Sequence, residues 1–323
     1  MEMQQVRVER YGPPEAIAIA DAPVPRPGRG EVVVRVEAAG VNSGDARMRS
    51  GRFPTGFGPL ARLAIGLRGP RAGVLGSTFS GVVAEVGDGV DELARGDEVA
   101  GMTGVRVGCH AEFAVVPAGA AVRKPAALGH SDAAGVLFGG TTALHFLRDR
   151  AAMPRGATVL VNGASGSVGS AAVQIAIILG GTVTAVCSEA NRELVTRLGA
   201  QRWIDYTRTP IEAIDERFDV VFDAVGNLSR PDGLRLRAPG GGLVLAVAGL
   251  FDTVRGGRGV YTGSASERVE NVAQLLEWAA AGRLDPVVTV VGGLSALPEA
   301  YRLIDGGHKV GNLVVLPGSH QAV

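Results

Sequence analysis

The sequence predicts an α/β protein in two parts: a small barrel-like β domain, then a doubly wound parallel sheet. Three observations predict it. The length, 323 residues, suits about two domains. Residues 6–122 read as short β-branched runs separated by glycine and proline turns. From Thr158 the pattern changes to alternating strand and helix, the signature of a parallel sheet with crossover helices. Hydrophobic residues make up 46% and charged residues 20%, so the chain can bury a core for each part.

In the first part, Val32-Val33-Val34-Arg35-Val36 reads as a strand ended by Ala38-Ala39-Gly40. Residues 81–87, 99–102 and 111–116 read as further strands. Pro25-Arg26-Pro27-Gly28, Gly87-Asp88-Gly89 and Gly96-Asp97 supply turns. Short strands with glycine corners suggest closure into a barrel. Residues 53–70 hold four Gly and three Pro among Phe, Leu and Ile, an apolar loop or broken helix. Such a stretch is either a surface excursion packed on the barrel, or a pocket wall or dimer contact.

In the second part, Thr158 to Asn162 is a buried strand and 170–179 a helix. Residues 182–187 form the next strand and 191–198 the next helix, closed by Gly199. Ile204-Asp205, 218–222 and 243–247 continue the strands.

Composition excludes several classes. Lys+Arg and Asp+Glu are each 32, which argues against nucleic acid as the main partner. The first twelve residues lack the apolar core of a signal peptide. The most apolar stretch, 168–186, is interrupted by Gln174 and Gly180-Gly181, so no membrane span is predicted. A soluble, cytoplasmic protein is expected. Cys109 and Cys187, the only two cysteines, make neither a disulfide framework nor a zinc cluster.

The run Gly163-Ala164-Ser165-Gly166-Ser167-Val168-Gly169 joins a strand to a helix. There a glycine turn brings backbone N–H groups and a helix N-terminus to a pyrophosphate. Ala164 stands at the first position of G-x-G-x-x-G. Gly166 allows close approach to phosphate, and Gly169 allows helix to pack on strand. The alternative is a tight turn with no ligand. At the end of the second strand, where NAD sites carry an acid, the chain has Cys187 and Ser188. Arg192 lies within reach of a 2′-phosphate, or is an ordinary solvated helix residue. The missing acid with Ser188 and Arg192 points to NADPH.

Together these pieces resemble the zinc-independent quinone oxidoreductase branch of the medium-chain dehydrogenase/reductase superfamily. The likeness runs from about Val6 to Leu316. It rests on residues 39–45 (Ala-Gly-Val-Asn-Ser-Gly-Asp), 80–87, 96–99, 111–113, 139–144, 159–169, 218–226 and 311–315. It implies a GroES-like catalytic domain over 1–125, completed by 264–323, around a Rossmann domain over 126–263. It also implies a cleft between them and a homodimer. By position, Ala164 to Gly169 hold the pyrophosphate, and Ser188, Arg192 and Tyr206 surround the 2′-phosphate. Thr142 lies near the nicotinamide with Asn312, while Gly226 and Gly249 line the cofactor edge. Asn42 faces the reacting carbonyl, and Arg47, Phe53 and His110 contact substrate. His110 is otherwise a proton donor or a plain polar residue near the cleft. His130, His145, His308 and His320 form no pattern.

Zinc relatives carry Cys at the place of Asn42 and a His-Glu pair where Ser77 and Thr78 stand, so neither metal site of that group can be built here. The resemblance therefore implies hydride delivery from NADPH to a quinone or an α,β-unsaturated carbonyl without zinc. Two further readings are a biosynthetic oxidoreductase acting on a bulky intermediate and a non-catalytic NADPH-binding protein.

Overall fold

The computed structural model describes residues 1–319. Six parallel strands form one sheet in the order Arg202–Asp205, Thr182–Cys187, Thr158–Asn162, Phe218–Asp223, Arg237–Leu245 and Val260–Tyr261. The chain winds outward in both directions from Thr158–Asn162, so a crevice opens at that strand's C-terminal end. Val159, Leu160 and Val161 alternate between two core faces and are all buried. A parallel strand covered by helices on both sides requires such an unbroken apolar run.

The second sheet runs Val288–Gly292, Asn312–Val315, Glu31–Val41, Thr78–Val86, Glu98–Met102 and Ala121–Arg123. Glu31–Val41 is its axis. Its first half pairs with Phe113–Pro117 and its last three residues with Asn312–Val315. The strand therefore does not stop at Ala38-Ala39-Gly40. Ala38 and Ala39 are fully buried, and a β-carbon on Gly40 would collide with the Thr78 hydroxyl. Small residues let the sheet close there. Register shifts after Val33 and Val36 bend the strand on the way.

One helix, Ser43–Ser50, lies in a region expected to be β and turn and begins immediately after the axial strand, whereas Gly58–Ile65 is a helix within the 53–70 stretch, in line with the broken-helix reading of it. The longest helix, His130–Leu144, ties the sheets together. Its glycines are packing positions. A β-carbon on Gly135 would meet Val288, one on Gly139 the Ser167 backbone, and one on Gly140 the Leu275 side chain. The resemblance implied a return to the barrel from residue 264. Helix Val269–Ala280 packs on His130–Leu144 and on the barrel strands Ala121–Arg123 and Glu98–Met102, and the chain joins the barrel sheet itself at Val288–Gly292. Residues 320–323 of the implied C-terminal segment, His320 among them, lie outside the described residues.

Candidate active site

The glycine run sits at the crevice. Gly163 takes a left-handed φ of 77°, so the tight turn falls one residue before Ala164, which is fully buried. Helix Ser167–Ile178 starts at Gly166, whose backbone is extended and which offers no side-chain cap. The first-turn N–H groups are thus left without a side-chain acceptor. A β-carbon on Gly166 would find only the Gly163 carbonyl, 3.6 Å away. On Gly169 it would overlap that carbonyl oxygen and lie 2.9 Å from the Ala164 Cα. The two glycines therefore have separate reasons: Gly166 leaves room outside the turn, and Gly169 lets the helix lie on it. An uncapped helix N-terminus facing open space fits a pyrophosphate.

The C-terminal segment crosses this turn. Gly311 N–H donates to the Ser165 carbonyl at 2.9 Å, and Gly311 is bridged in parallel to Gly166. Ser167 Oγ donates to Asn312 Oδ1 at 2.5 Å, while Asn312 Nδ2 donates to the Pro286 carbonyl at 2.6 Å. Leu313 pairs with Val41, so continuing the register by one residue sets Asn312 opposite Asn42. Asn312 thus ties the barrel sheet to helix Ser167–Ile178, and Asn42 follows the last paired residue of the neighbouring strand.

Asn42 is buried and caps helix Ser43–Ser50. Its Oδ1 accepts the N–H of Gly44 at 2.8 Å and of Asp45 at 3.1 Å, and Asp45 Oδ2 accepts the Asn42 N–H at 3.0 Å. This reciprocal cap fixes which way the amide points. Nδ2 donates one hydrogen to Ser77 Oγ at 3.1 Å and keeps a second. Asp45 Oδ1 also accepts the Gly76 N–H at 3.2 Å, so one carboxylate braces both segments that present Asn42 and Ser77. Burial pushes the Asp45 carboxyl up to about 7, against the pull of those N–H groups.

His110 is enclosed rather than turned to the cleft, with 1% of its surface exposed. Its ring nitrogens face the Gly40 carbonyl at 3.1 Å and the Tyr301 hydroxyl at 3.4 Å, and burial drives its pKa down to about 4. A neutral, walled-in imidazole offers substrate neither contact nor proton, contrary to the expectation for this residue. Arg47 and Phe53 are half-buried. Both cysteines are buried, and their thiols are pushed up to about 12 for Cys109 and about 11 for Cys187, so neither supplies a thiolate near neutral pH.

Residues 28–126 match the alcohol dehydrogenase GroES-like domain, and 198–315 match a domain described as zinc-binding dehydrogenase. The chain is 31% identical to the chloroplastic NADPH-dependent alkenal/one oxidoreductase of Arabidopsis thaliana over 91% of its own length and 74% of that protein. It is 30% identical to 2-methylene-furan-3-one reductase of Solanum lycopersicum, over 98% and 79%. The chain belongs to the medium-chain dehydrogenase/reductase superfamily. The quinone oxidoreductase of Coxiella burnetii superposes with a TM-score of 0.86 at 27% identity, covering 98% of this chain and 99% of that one. The chain is an oxidoreductase with a GroES-like and a Rossmann domain, and its cofactor is a nicotinamide dinucleotide.

Within this oxidoreductase the remaining predicted residues separate into groups. Asp223, at the end of its strand, accepts N–H groups from Val225, Gly226 and Leu228 and the amide of Asn162. The carboxylate folds the turn on which Gly226 adopts a φ of 89°. A cavity of about 450 Å³ lies beyond it, lined by Asp223, Gly226, Gly249, Thr55 and Phe251. Thr55 comes from the 53–70 excursion, and its carbonyl accepts the Leu250 N–H at 2.8 Å, so the excursion bridges to the Rossmann side. Thr142 donates its hydroxyl to the Phe138 carbonyl of its own helix at 2.8 Å.

On the adenosine side, Asn191 Nδ2 lies 3.1 Å from Ser165 Oγ and 3.3 Å from Ser188 Oγ, joining the phosphate turn to the second strand end. Arg192 stacks over Trp203, 5.3 Å from the ring centroid, and approaches Glu189 at 3.9 Å. Tyr206 is exposed. The structure thus gathers Ser165, Ser188 and Asn191 while Arg192 leans on the indole. The roles of Ser77, Gly163 and Asp223 are not evident from residue type. The Asn42-x-x-Asp45 spacing does carry a readable cap signal.

No three His, Cys, Asp or Glu side chains converge on a metal-sized site among the described residues. No helix among them is long and apolar enough to cross a membrane.

Proposed function

We propose that this chain reduces quinones or α,β-unsaturated carbonyls with NADPH and without zinc. The observation that carries the reading is the Asn42–Asn312–Ser167 arrangement. Asn42 is a fixed amide donor at the end of one barrel strand, and Asn312, in the strand paired with it, is bonded to Ser167 at the helix N-terminus of the cofactor domain, which supports the reading. The cofactor, when bound, supplies hydride.

The chain's residues supply the rest. Gly166 and the first turn of Ser167–Ile178 take the pyrophosphate. Asn312, held by Ser167 and Pro286, lines the nicotinamide end with Gly226 and Gly249. The free Nδ2 hydrogen of Asn42 donates to the acceptor's carbonyl oxygen, and Ser77 accepts from the same amide and can donate onward. Donors fixed before reaction favour the oxygen as it gains enolate charge. The names of the alkenal/one and furanone reductases support an enone acceptor, and that of the Coxiella burnetii protein a quinone.

Preference for NADPH over NADH rests on Cys187 and Ser188 in place of a strand-end acid, with Asn191, Arg192 and Tyr206 nearby. A homodimer and a cytoplasmic location belong to the same reading. A second reading, a reductase of a bulky apolar intermediate, draws on the rim, where Leu60, Leu63, Phe251 and Val254 are all exposed.

Consumption of NADPH and NADH with a panel of quinones, short enones and long-chain enones tests both readings. Turnover of quinones or short enones supports the first, and turnover confined to long-chain enones the second. Failure with every acceptor, with NADPH still bound, would leave a binding protein.

A further inference from the structure

We infer that Lys309 is a cofactor-binding cation, closing the phosphate turn from the C-terminal segment and pairing with the pyrophosphate of the bound dinucleotide. The inference rests on the dinucleotide reading above. The chain has only two lysines, and their settings differ. Lys124 has Glu98 at 3.0 Å and donates to the Leu128 carbonyl at 2.6 Å. Lys309 donates to the Gly311 carbonyl at 2.5 Å and has no carboxylate partner among the described residues. Gly311 is the residue bridged to Gly166 and bonded to Ser165, so this ammonium sits at the turn where the phosphate helix begins.

A carbonyl satisfies one of three ammonium donors and leaves the charge uncompensated. The residue keeps part of its surface exposed while its ammonium is desolvated, and burial alone pulls its pKa down to about 8. A desolvated charge without a counter-ion destabilises the free protein. The same charge beside a helix N-terminus reinforces a site for an anion. Two negative charges of a pyrophosphate would complete it. The position also selects which phosphate. Gly311 lies against Gly166 and Ser165, whereas the 2′-phosphate of NADPH belongs near Ser188, at the end of the next strand.

The experiment titrates NADPH and NADH into wild type, Lys309→Met and Lys309→Arg by quenching of protein fluorescence, with melting of each free protein alongside. Lys309→Met should bind both nucleotides at least tenfold more weakly, with the ratio between them unchanged. Lys309→Arg should recover most of the loss. Melting of free Lys309→Met should not fall at pH 7. Wild-type affinity in Lys309→Met would overturn the inference, as would a loss confined to NADPH, which would move the charge to the 2′-phosphate. A loss that follows a lower melting temperature, unrescued by Arg, would reduce Lys309 to a brace for Gly311. Failure of the wild type to bind either nucleotide would overturn the dinucleotide reading itself.

Discussion

Gly166 and Gly169 stand three residues apart in one turn, yet the structure assigns them opposite failures. Gly169→Ala places a β-carbon over the Gly163 carbonyl oxygen, 2.7 Å from its carbon and 2.9 Å from the Ala164 Cα. All three are backbone atoms, so no rotamer change relieves the clash. Overpacking of this kind costs about 1–3 kcal/mol, and the gain in helix propensity from Gly to Ala returns up to about 1. A net loss of ~2 kcal/mol, against an unfolding entropy of ~0.7 kcal/mol/K for a chain this long, lowers Tm by ~3 °C. Gly166→Val differs. Its backbone is extended, with φ −79° and ψ 179°, and the new β-carbon meets only one atom, at 3.6 Å. The free protein should melt within about 1 °C of wild type, by that same entropy. The branched side chain then stands where phosphate oxygens must sit. Charge-assisted hydrogen bonds are worth about 1.5–3 kcal/mol each, and losing two of them weakens binding by more than ~100-fold. Scanning calorimetry and NADPH titration on both variants decide the matter. Normal NADPH binding by Gly166→Val would refute the phosphate berth, and an unchanged Tm in Gly169→Ala would refute the packing argument.

Three further outcomes follow from the barrel side. Asn42→Ala should lose about 0.5–2 kcal/mol with the helix cap, whereas Asn42→Ser keeps a capping oxygen and most of that stability. Both should lower kcat by ~10²-fold or more if the amide is the carbonyl donor, and equal stability loss or unchanged kcat counts against that role. Asp45 binds its proton more tightly folded, at about 7, than unfolded, near 3.8. Its stabilising contribution is thus present below pH 3.8 and is lost as pH rises to 7, so Asp45→Asn should flatten the decline in Tm across that window. A slope identical to wild type would show that Asp45 does not titrate there. Dialysis against a strong chelator should leave activity and Tm unchanged, since Asn42, Ser77 and Thr78 offer no metal-ligand set, and stoichiometric zinc in the purified protein would contradict this.

The parallel sheet was legible because each of its central strands buries both faces, which leaves an unbroken run such as Val159-Leu160-Val161 in the sequence. The glycine turn before Ser167–Ile178 was legible because glycine has few other reasons to recur at that spacing. The helix Ser43–Ser50 was hidden by composition. Ser-Gly-Asp-Ala-Arg-Met-Arg-Ser has no apolar stripe, and the cap that starts it depends on two side chains bonding reciprocally. The burial of His110 was hidden for another reason. Its neighbours Gly40, Gly76 and Tyr301 lie 70, 34 and 191 positions away, and only the closed barrel brings them around it. The stacking of Arg192 on Trp203 likewise depends on the pairing of two adjacent strands, which residue type does not specify.

The double duty of the Asn42 side chain has a consequence for how such chains change under selection. One oxygen starts a helix while the nitrogen of the same amide donates to Ser77 and, in the proposed function, to substrate. A descendant that gave up reduction and kept only its shape would still be selected to retain a capping side chain there, because losing it costs about 0.5–2 kcal/mol of helix stability. Retention of a capping residue at this position is therefore silent about whether a lineage still turns over substrate. The informative position is its neighbour across the barrel, Ser77, whose hydroxyl holds no helix end and is free to drift once the chemistry is abandoned.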